Sequence, residues 1–409
     1  VIAAVAAGTS VAVASFAGDG KETFNLGGVD SARALAIQKD DRIVVAGSTT
    51  VGAPPFDIAV ARFEADGDVD NTFSGNGFEV TDAGGFDGGD DVAIQRNGRI
   101  VVAGSADIGG SGANDFAVAR YLETGSPDPA FSDDGLATTG FDEGASARAV
   151  AIQRNGRIVV AGGKGDDFAL ARYRPNGNLD RSFSGDGRQK TNLGGFDSAD
   201  AVAIQRDGRI VVAGDSCIGP GMGCASNFAL ARYLPDGKLD KSFSKDGKAR
   251  PNIGGSDSAR DVAIQRDGRI VAVGAATPGP EPVFATARLL VNGKLDKSFS
   301  GDGRKTTGFG DNANANAVAI ARNGRIVVVG STQATPTVDS VVIRYRPNGA
   351  LDKSFSSDGK VTTDIAEGAG DTAQDVAFQT RRKFVTTGGI SPSNDFYVAR
   401  YRANGELDD

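Results

Sequence analysis

The chain has 409 residues, 40% of them hydrophobic, with a formal net charge of −8 and a pI near 4.9. No Lys/Arg stripe stands out, which argues against nucleic acid as a partner, and no apolar run approaches the roughly 20 residues of a membrane helix. His is absent, so the commonest general base and the commonest transition-metal ligand are both missing, and zinc chemistry and Ser-His-Asp catalysis are not expected.

Residues 1–14, Val1 to Ala14, are small and apolar and lie outside everything that follows. Two readings stay open: an extra strand, or the remnant of a signal peptide ending at Ala12-Val13-Ala14. Self-association through this segment is a third role. From Ser15-Phe16 onward the chain repeats itself. A Phe followed by a close copy of Ser-Gly-Asp-Gly occurs at Phe16, Phe73, Phe131, Phe183, Phe243, Phe299 and Phe355, spaced 52 to 60 residues apart. So regular a period means an array of like units, and residues 15–409 form one such array.

The fourth unit shows the elements in order. Ala201-Val202-Ala203-Ile204 (strand a) is followed by Asp207-Gly208, then by Ile210-Val211-Val212-Ala213 (strand b). After a variable stretch come Phe228-Ala229-Leu230-Ala231-Arg232-Tyr233 (strand c), Asp236-Gly237, and Leu239-Asp240-Lys241-Ser242-Phe243, read here as strand d. Short β-branched and aromatic runs bounded by Asn-Gly or Asp-Gly are strands joined by tight turns. Strand b is apolar on both faces, so each sheet must be covered on both sides. Seven four-stranded meanders packed face to face make an all-β, seven-bladed β-propeller. The last unit stops at Leu407-Asp408-Asp409 and the first begins at Ser15-Phe16. An N-terminal strand d is therefore expected to join C-terminal strands a–c and close the ring, with Phe16 in that strand beside residues 396–401.

Val-Ala-Ile-Gln-Arg-Asp-Gly-Arg-Ile-Val-Val-Ala-Gly at 202–214, the Phe-Ala-Leu-Ala-Arg-Tyr strand, and Leu-Asp-x-Ser-Phe with its Gly-Asp-Gly resemble the delta-sixty repeat of bacterial secreted and surface proteins. The blades are also similar, more weakly, to NHL-type blades. The resemblance covers residues 15–409 and implies a β-propeller, a secreted or cell-surface location and no single activity. In that setting Cys217 and Cys224, seven apart in one Gly-rich segment, are read as a disulfide stapling a b–c loop.

Candidate sites fall into three sets. The b–c and d–a connections share one face, and the b–c loops vary in length, so that face is the binding candidate. Its d–a connectors carry Asp30, Asp87, Asp142, Asp197, Asp257, Asp311 and Asp371, either to hold a cation or basic ligand or to cap local turns. Just before strand a runs an alternating series, Arg33, Asp90, Arg148, Asp200, Arg260, Asn316 and Gln374, read mainly as a structural ring of inter-blade pairs around the axis, with binding of an acidic sugar as its other use. Finally, Arg62, Arg120, Arg172, Arg232, Arg288, Arg344 and Arg400 recur on strand c, and Asp70, Asp128, Asp180, Asp240, Asp296, Asp352 and Asp408 recur eight residues later. Arg–Asp pairing within each blade is expected, bidentate where geometry allows.

No catalytic residue, metal ligand set or cofactor is assigned. The reading is an extracellular binding or scaffold propeller that takes a glycan or protein ligand on the variable face. The alternatives are a secreted carbohydrate-active enzyme using Asp, Glu, Arg and Tyr, or a structural subunit assembling through residues 1–14. Without His, binding should be flat between about pH 5.5 and 8 unless burial raises a carboxylate pKa.

Overall fold

The computed structural model describes residues 16–51, 56–85, 87–108, 114–141, 144–217, 224–334, 337–380 and 382–409. Residues 1–14, Asp142 and the interior of the Cys217–Cys224 loop lie outside them. Seven four-stranded antiparallel sheets each run a-b-c-d. In the first blade these are Asp30–Ile37, Ile43–Thr49, Asp57–Phe63 and Phe78–Thr81. Strand a of every blade packs against strand a of the next, and the seventh closes on the first. Strand a is thus the innermost strand.

Closure follows the expected logic in a different place. The seventh blade takes strands a to c from Gly370–Phe378, Phe384–Ser391 and Asp395–Tyr401, and strand d from Lys21–Phe24, with Lys21 opposite Ala399 and Phe24 opposite Phe396. Phe16 is in the preceding turn, not in a strand; its N–H donates to the Asp408 carbonyl at 3.0 Å. The same correction applies to every blade. Leu-Asp-x-Ser-Phe forms a single bridge to the end of strand c (Leu239 with Tyr233) and then a turn. The edge strand begins only after it.

The first five residues of every strand b are buried; Ile43, Val44, Val45 and Ala46 have no exposed surface. The described apolar core divides into seven clusters, one at each blade boundary. At the first, Val44, Ala46, Ile58 and Val60 meet Ile100, Val102, Ala117 and Ala119. Each blade therefore buries both faces, and among the described residues the ring leaves no unpaired apolar face to cap.

The repeated Arg and Asp bolt one blade to the next. Arg232 donates from Nε to Asp240 Oδ2 at 2.9 Å and from Nη2 to Ser242 Oγ at 3.1 Å, and its Nη1 reaches the Val291 carbonyl of the following blade. The guanidinium lies 4.7 Å over the Phe243 ring. All seven Arg pair with their Asp and all seven stack on their Phe, down to Arg400 on Asp408 and Phe16. The geometry does not give the expected bidentate, two-oxygen fork: in the fourth blade Nε and Nη2 both lie 2.9 Å from the single oxygen Oδ2, while Nη1 is spent on the neighbouring blade's carbonyl. A second cation, Arg209 at 2.8 Å in the fourth blade, shares the same oxygen.

Candidate functional site: the axial cavity

The a–b turn in the fourth blade is closed by Gly208 N–H to the Gln205 carbonyl at 2.9 Å, with Gly208 at φ +88°, a conformation open to glycine. Such turns repeat on one face. On the other, the starts of the a strands and the ends of the b strands surround an axial cavity of about 950 Å³. Its wall contains the whole alternating series: Arg33, Asp90, Arg148, Asp200, Arg260, Asn316 and Gln374. These residues lie within strand a, which begins earlier than the sequence pattern suggested. Arg148 pairs with Asp200 across a blade boundary at 2.7 Å. Asn316 donates to the Ala373 carbonyl at 2.9 Å, also across a boundary. Among the described residues Arg33 and Arg260, both exposed to the cavity, make no side-chain hydrogen bond or ion pair.

One step deeper lies a set that the sequence reading passed over. Each strand a carries a β-bulge at the ring position, as between Gly89 and Asp91, so two consecutive residues reach the axis. The second of them is Ala34, Ala149, Ala201 and Ala317 in four blades, and Asp91, Asp261 and Asp375 in three. Each Asp accepts two backbone N–H groups, one from its own strand and one from the next blade. Asp91 takes Val92 at 2.7 Å and Val150 at 2.7 Å. Asp261 takes Val262 at 2.6 Å and Val318 at 2.7 Å. Asp375 takes Val376 at 2.7 Å and Leu35 at 2.8 Å. Three carboxylates thus serve six of the seven equivalent amides. The seventh, Val202, has Ala149 and Ala201 where the others have an Asp.

Burial dominates the electrostatics of this layer. It pushes Asp91 up to about 7 against the pull of its two amide donors, with Asp261 and Asp90 raising it further. Asp261 is pushed up to about 6 by burial, and Asp375 well above its ordinary range by burial, with the charges of Asp261 and Asp91 adding to it. At the ring above, burial raises Asp90 to about 6 although Arg33 and Arg148 draw it down. Asp200 is also raised by burial, opposed by Arg148 and Arg260. The expectation of flat pH behaviour therefore meets its stated exception.

The connector carboxylates divide. Asp30 and Asp87 line the cavity. Asp30 accepts Leu26 N–H at 2.8 Å and the Thr49 hydroxyl at 2.5 Å. Asp87, Asp197 and Asp257 each accept the N–H four residues earlier, at 2.5 Å from Ala83, Leu193 and Ile253, and Asp371 accepts that of Ile365 at 2.6 Å. These contacts tie five of the d–a connectors to the start of strand a. Asp311 is different: it is exposed, and the register position in its blade belongs to Ala313. Asp142 lies outside the described residues. Cys217 and Cys224 form a disulfide at the end of strand b on this same face.

Fold and site together define a closed seven-bladed β-propeller with a charged axial cavity. The chain belongs to the family described as "Domain of unknown function (DUF5122) beta-propeller", whose profile matches residues 38–73, 95–131, 153–183, 205–243, 265–299 and 321–355. No curated protein matches the chain. Among solved structures it is similar to YCF48 from Cyanidioschyzon merolae, with 9% identity, a TM-score of 0.50, and coverage of 93% of this chain and 98% of that one. It is also similar to YCF48 bound to D1 peptide, with 10% identity, a TM-score of 0.50, and coverage of 93% and 97%. A protein of unknown function from Dyadobacter fermentans matches with 11% identity, a TM-score of 0.49, and coverage of 93% and 98%. At these identities the likeness is one of fold alone.

Proposed function

We propose that the protein is an extracytoplasmic binding module of the delta-sixty repeat type whose ligand enters the axial cavity from the variable-loop face. One observation carries this reading. The repeated chemistry of the blades is consumed internally, whereas Arg33 and Arg260 face a cavity of about 950 Å³ and, among the described residues, make no side-chain hydrogen bond or ion pair. Guanidinium groups so placed suit a carboxylate-bearing ligand, an acidic glycan or a peptide. The disulfide supports an oxidising location. That one propeller of similar fold was solved with a D1 peptide is compatible with a peptide in this one.

Glycan and peptide arrays probed at pH 5.5 and 8, followed by a product assay on each hit, test the proposal. An anionic ligand should bind more weakly as pH rises, because Asp90, Asp91 and Asp261 ionise through about 6 to 7 beneath it. Arg33→Ala and Arg260→Ala should each weaken binding by about tenfold, the loss of one charge-assisted hydrogen bond. Hits indifferent to both substitutions would refute the axial site. A released product would replace binding with turnover.

A further inference from the structure

We propose that the cavity seats a ligand carboxylate in its fourth-blade sector, on the backbone N–H of Val202 and beside Arg260. The inference rests on the axial reading above and adds to it the group that is bound and the sector that binds it. Six of the seven equivalent axial amides donate to Asp91, Asp261 or Asp375. Val202 is the exception, with no side chain accepting from its N–H among the described residues. Register fixes where this N–H points. Val202 lies opposite Val212 as Val150 lies opposite Val160, and the Val150 N–H leaves its sheet to reach Asp91 of the preceding blade. The Val202 N–H therefore leaves the inner edge of its own strand a and meets the cavity.

Two further observations single out this sector. The six residues with satisfied amides are 5% or 6% exposed and do not line the cavity; Val202 is partly exposed and does. The cause lies in two side chains. Every other amide of the ring has an Asp in its own blade or in the preceding one, whereas Val202 has Ala201 and Ala149. The second observation is the pair of guanidinium groups at this level. Arg148 is paired with Asp200 at 2.7 Å, and Arg260 of the next blade makes no side-chain hydrogen bond or ion pair among the described residues.

The repeat itself shows what such an amide accepts: a carboxylate oxygen, at 2.6 to 2.8 Å. A ligand carboxylate at Val202 repeats that bond with one oxygen and offers the other to the Arg260 guanidinium, both bonds being charge-assisted. Water at an exposed amide is displaced without loss only by a group that reproduces its hydrogen bond, which a carboxylate does and an apolar or cationic group does not.

The test is an NMR titration of full-length ¹⁵N-valine-labelled protein at pH 5.5, where the buried axial carboxylates are least charged. The probes are galacturonate and N-acetylglycine, which carry the carboxylate on a sugar and on a peptide end, against galactose and N-acetylglycinamide. The Val202 peak is identified by its loss in Val202→Leu, a residue that the first blade carries there as Leu35. At least one acid should move that peak downfield, and the neutral probes should not. Val92 and Val376, already held by Asp91 and Asp375, should move less. The acid that binds tighter names the source, sugar or peptide. Val202→Pro deletes the donor at an edge-strand position outside the ladder. Ala201→Asn gives the amide an acceptor of its own, where Asp91, Asp261 and Asp375 already fit the same strand, so it should fold. Each should weaken binding of the acid by about tenfold. Ala317→Asn adds the same bulk in the sixth blade, whose Val318 N–H belongs to Asp261, and should bind as the wild type does. An acid that binds with the Val202 peak unmoved, and equally to Ala201→Asn but not to Arg260→Ala, would overturn this inference and leave the axial reading standing. No shift with either acid up to about 50 mM would overturn it too, with the axial reading then decided by the array hits.

Discussion

Deleting residues 16–25 should abolish cooperative unfolding or cut the unfolding free energy by well over 5 kcal/mol, on the order of a domain's whole stability. The segment supplies strand d of the seventh blade, and its loss bares strand c from Asp395 to Tyr401. It also removes Phe16, which is fully buried and lies 4.6 Å from the Arg400 guanidinium. The point substitution Phe16→Ala isolates that part and should cost about 3–5 kcal/mol. Chemical denaturation followed by far-UV circular dichroism measures both. A truncated chain that unfolds at the wild-type midpoint would show that the ring closes without this strand.

The second large effect concerns the bolts between blades. Asp240→Ala leaves Arg232 buried, 3% exposed at its side chain, with no counter-charge, and should cost about 3–5 kcal/mol. Asp207→Ala removes the outer partner of Arg209, at a side chain 51% exposed, and a turn hydrogen bond from the Arg209 N–H, and should cost about 1 kcal/mol. Acid should act through the same residues. Hydrogen bonds to Ser242 and Arg209 and the charge of Arg232 overcome burial and hold Asp240 down at about 2. Its contribution is full above the unfolded value of about 3.9 and is lost as pH falls through about 2. The axial carboxylates have the opposite sign. Asp91, raised to about 7, contributes fully below about 3.9, and that contribution is lost as pH rises through about 7. Stability should therefore fall on both flanks of mildly acidic pH. Equal losses from Asp240→Ala and Asp207→Ala would contradict the bolt.

Why the ring was legible from sequence, and strand d was not, has a physical basis. Strands b and c are buried on both faces, so their apolar runs are unmistakable, and the Asn-Gly and Asp-Gly turns punctuate them. Strand d is a four-residue edge such as Arg188–Thr191 or Arg304–Thr307, polar and nearly without alternation. The better-patterned Leu-Asp-x-Ser-Phe before it drew the assignment instead. There the side chains serve a turn: Asp240 accepts the Ser242 N–H at 3.0 Å, and Gly247 N–H closes on the Phe243 carbonyl at 2.8 Å.

The axial Asp residues were hidden for a related reason. A regular strand sends alternate side chains to opposite faces, so a reading that found Arg33 and Asp90 at the axis had no cause to add Asp91. Only the bulge turns both residues inward, and a bulge leaves no composition signature here. The usable clue was the departure from Ala at that position in three of seven blades. The connector count and the strand register part company in two blades: Ala145 and Ala313 hold the position that an Asp occupies in the other five, and Asp142 and Asp311 precede it in the sequence by three and two residues.

Hydrogen–deuterium exchange with and without the tightest array ligand tests the central claim, that binding belongs to the unrepeated chemistry of the axis. Protection should concentrate in peptides covering residues 29–34, 87–92, 146–150 and 260–261, which line the cavity. Exchange at the a–b turns around Gly98, Gly208 and Gly268 on the opposite face should stay unchanged. Protection confined to those turns or to the outer d strands, with the axial peptides unaffected, would contradict the account.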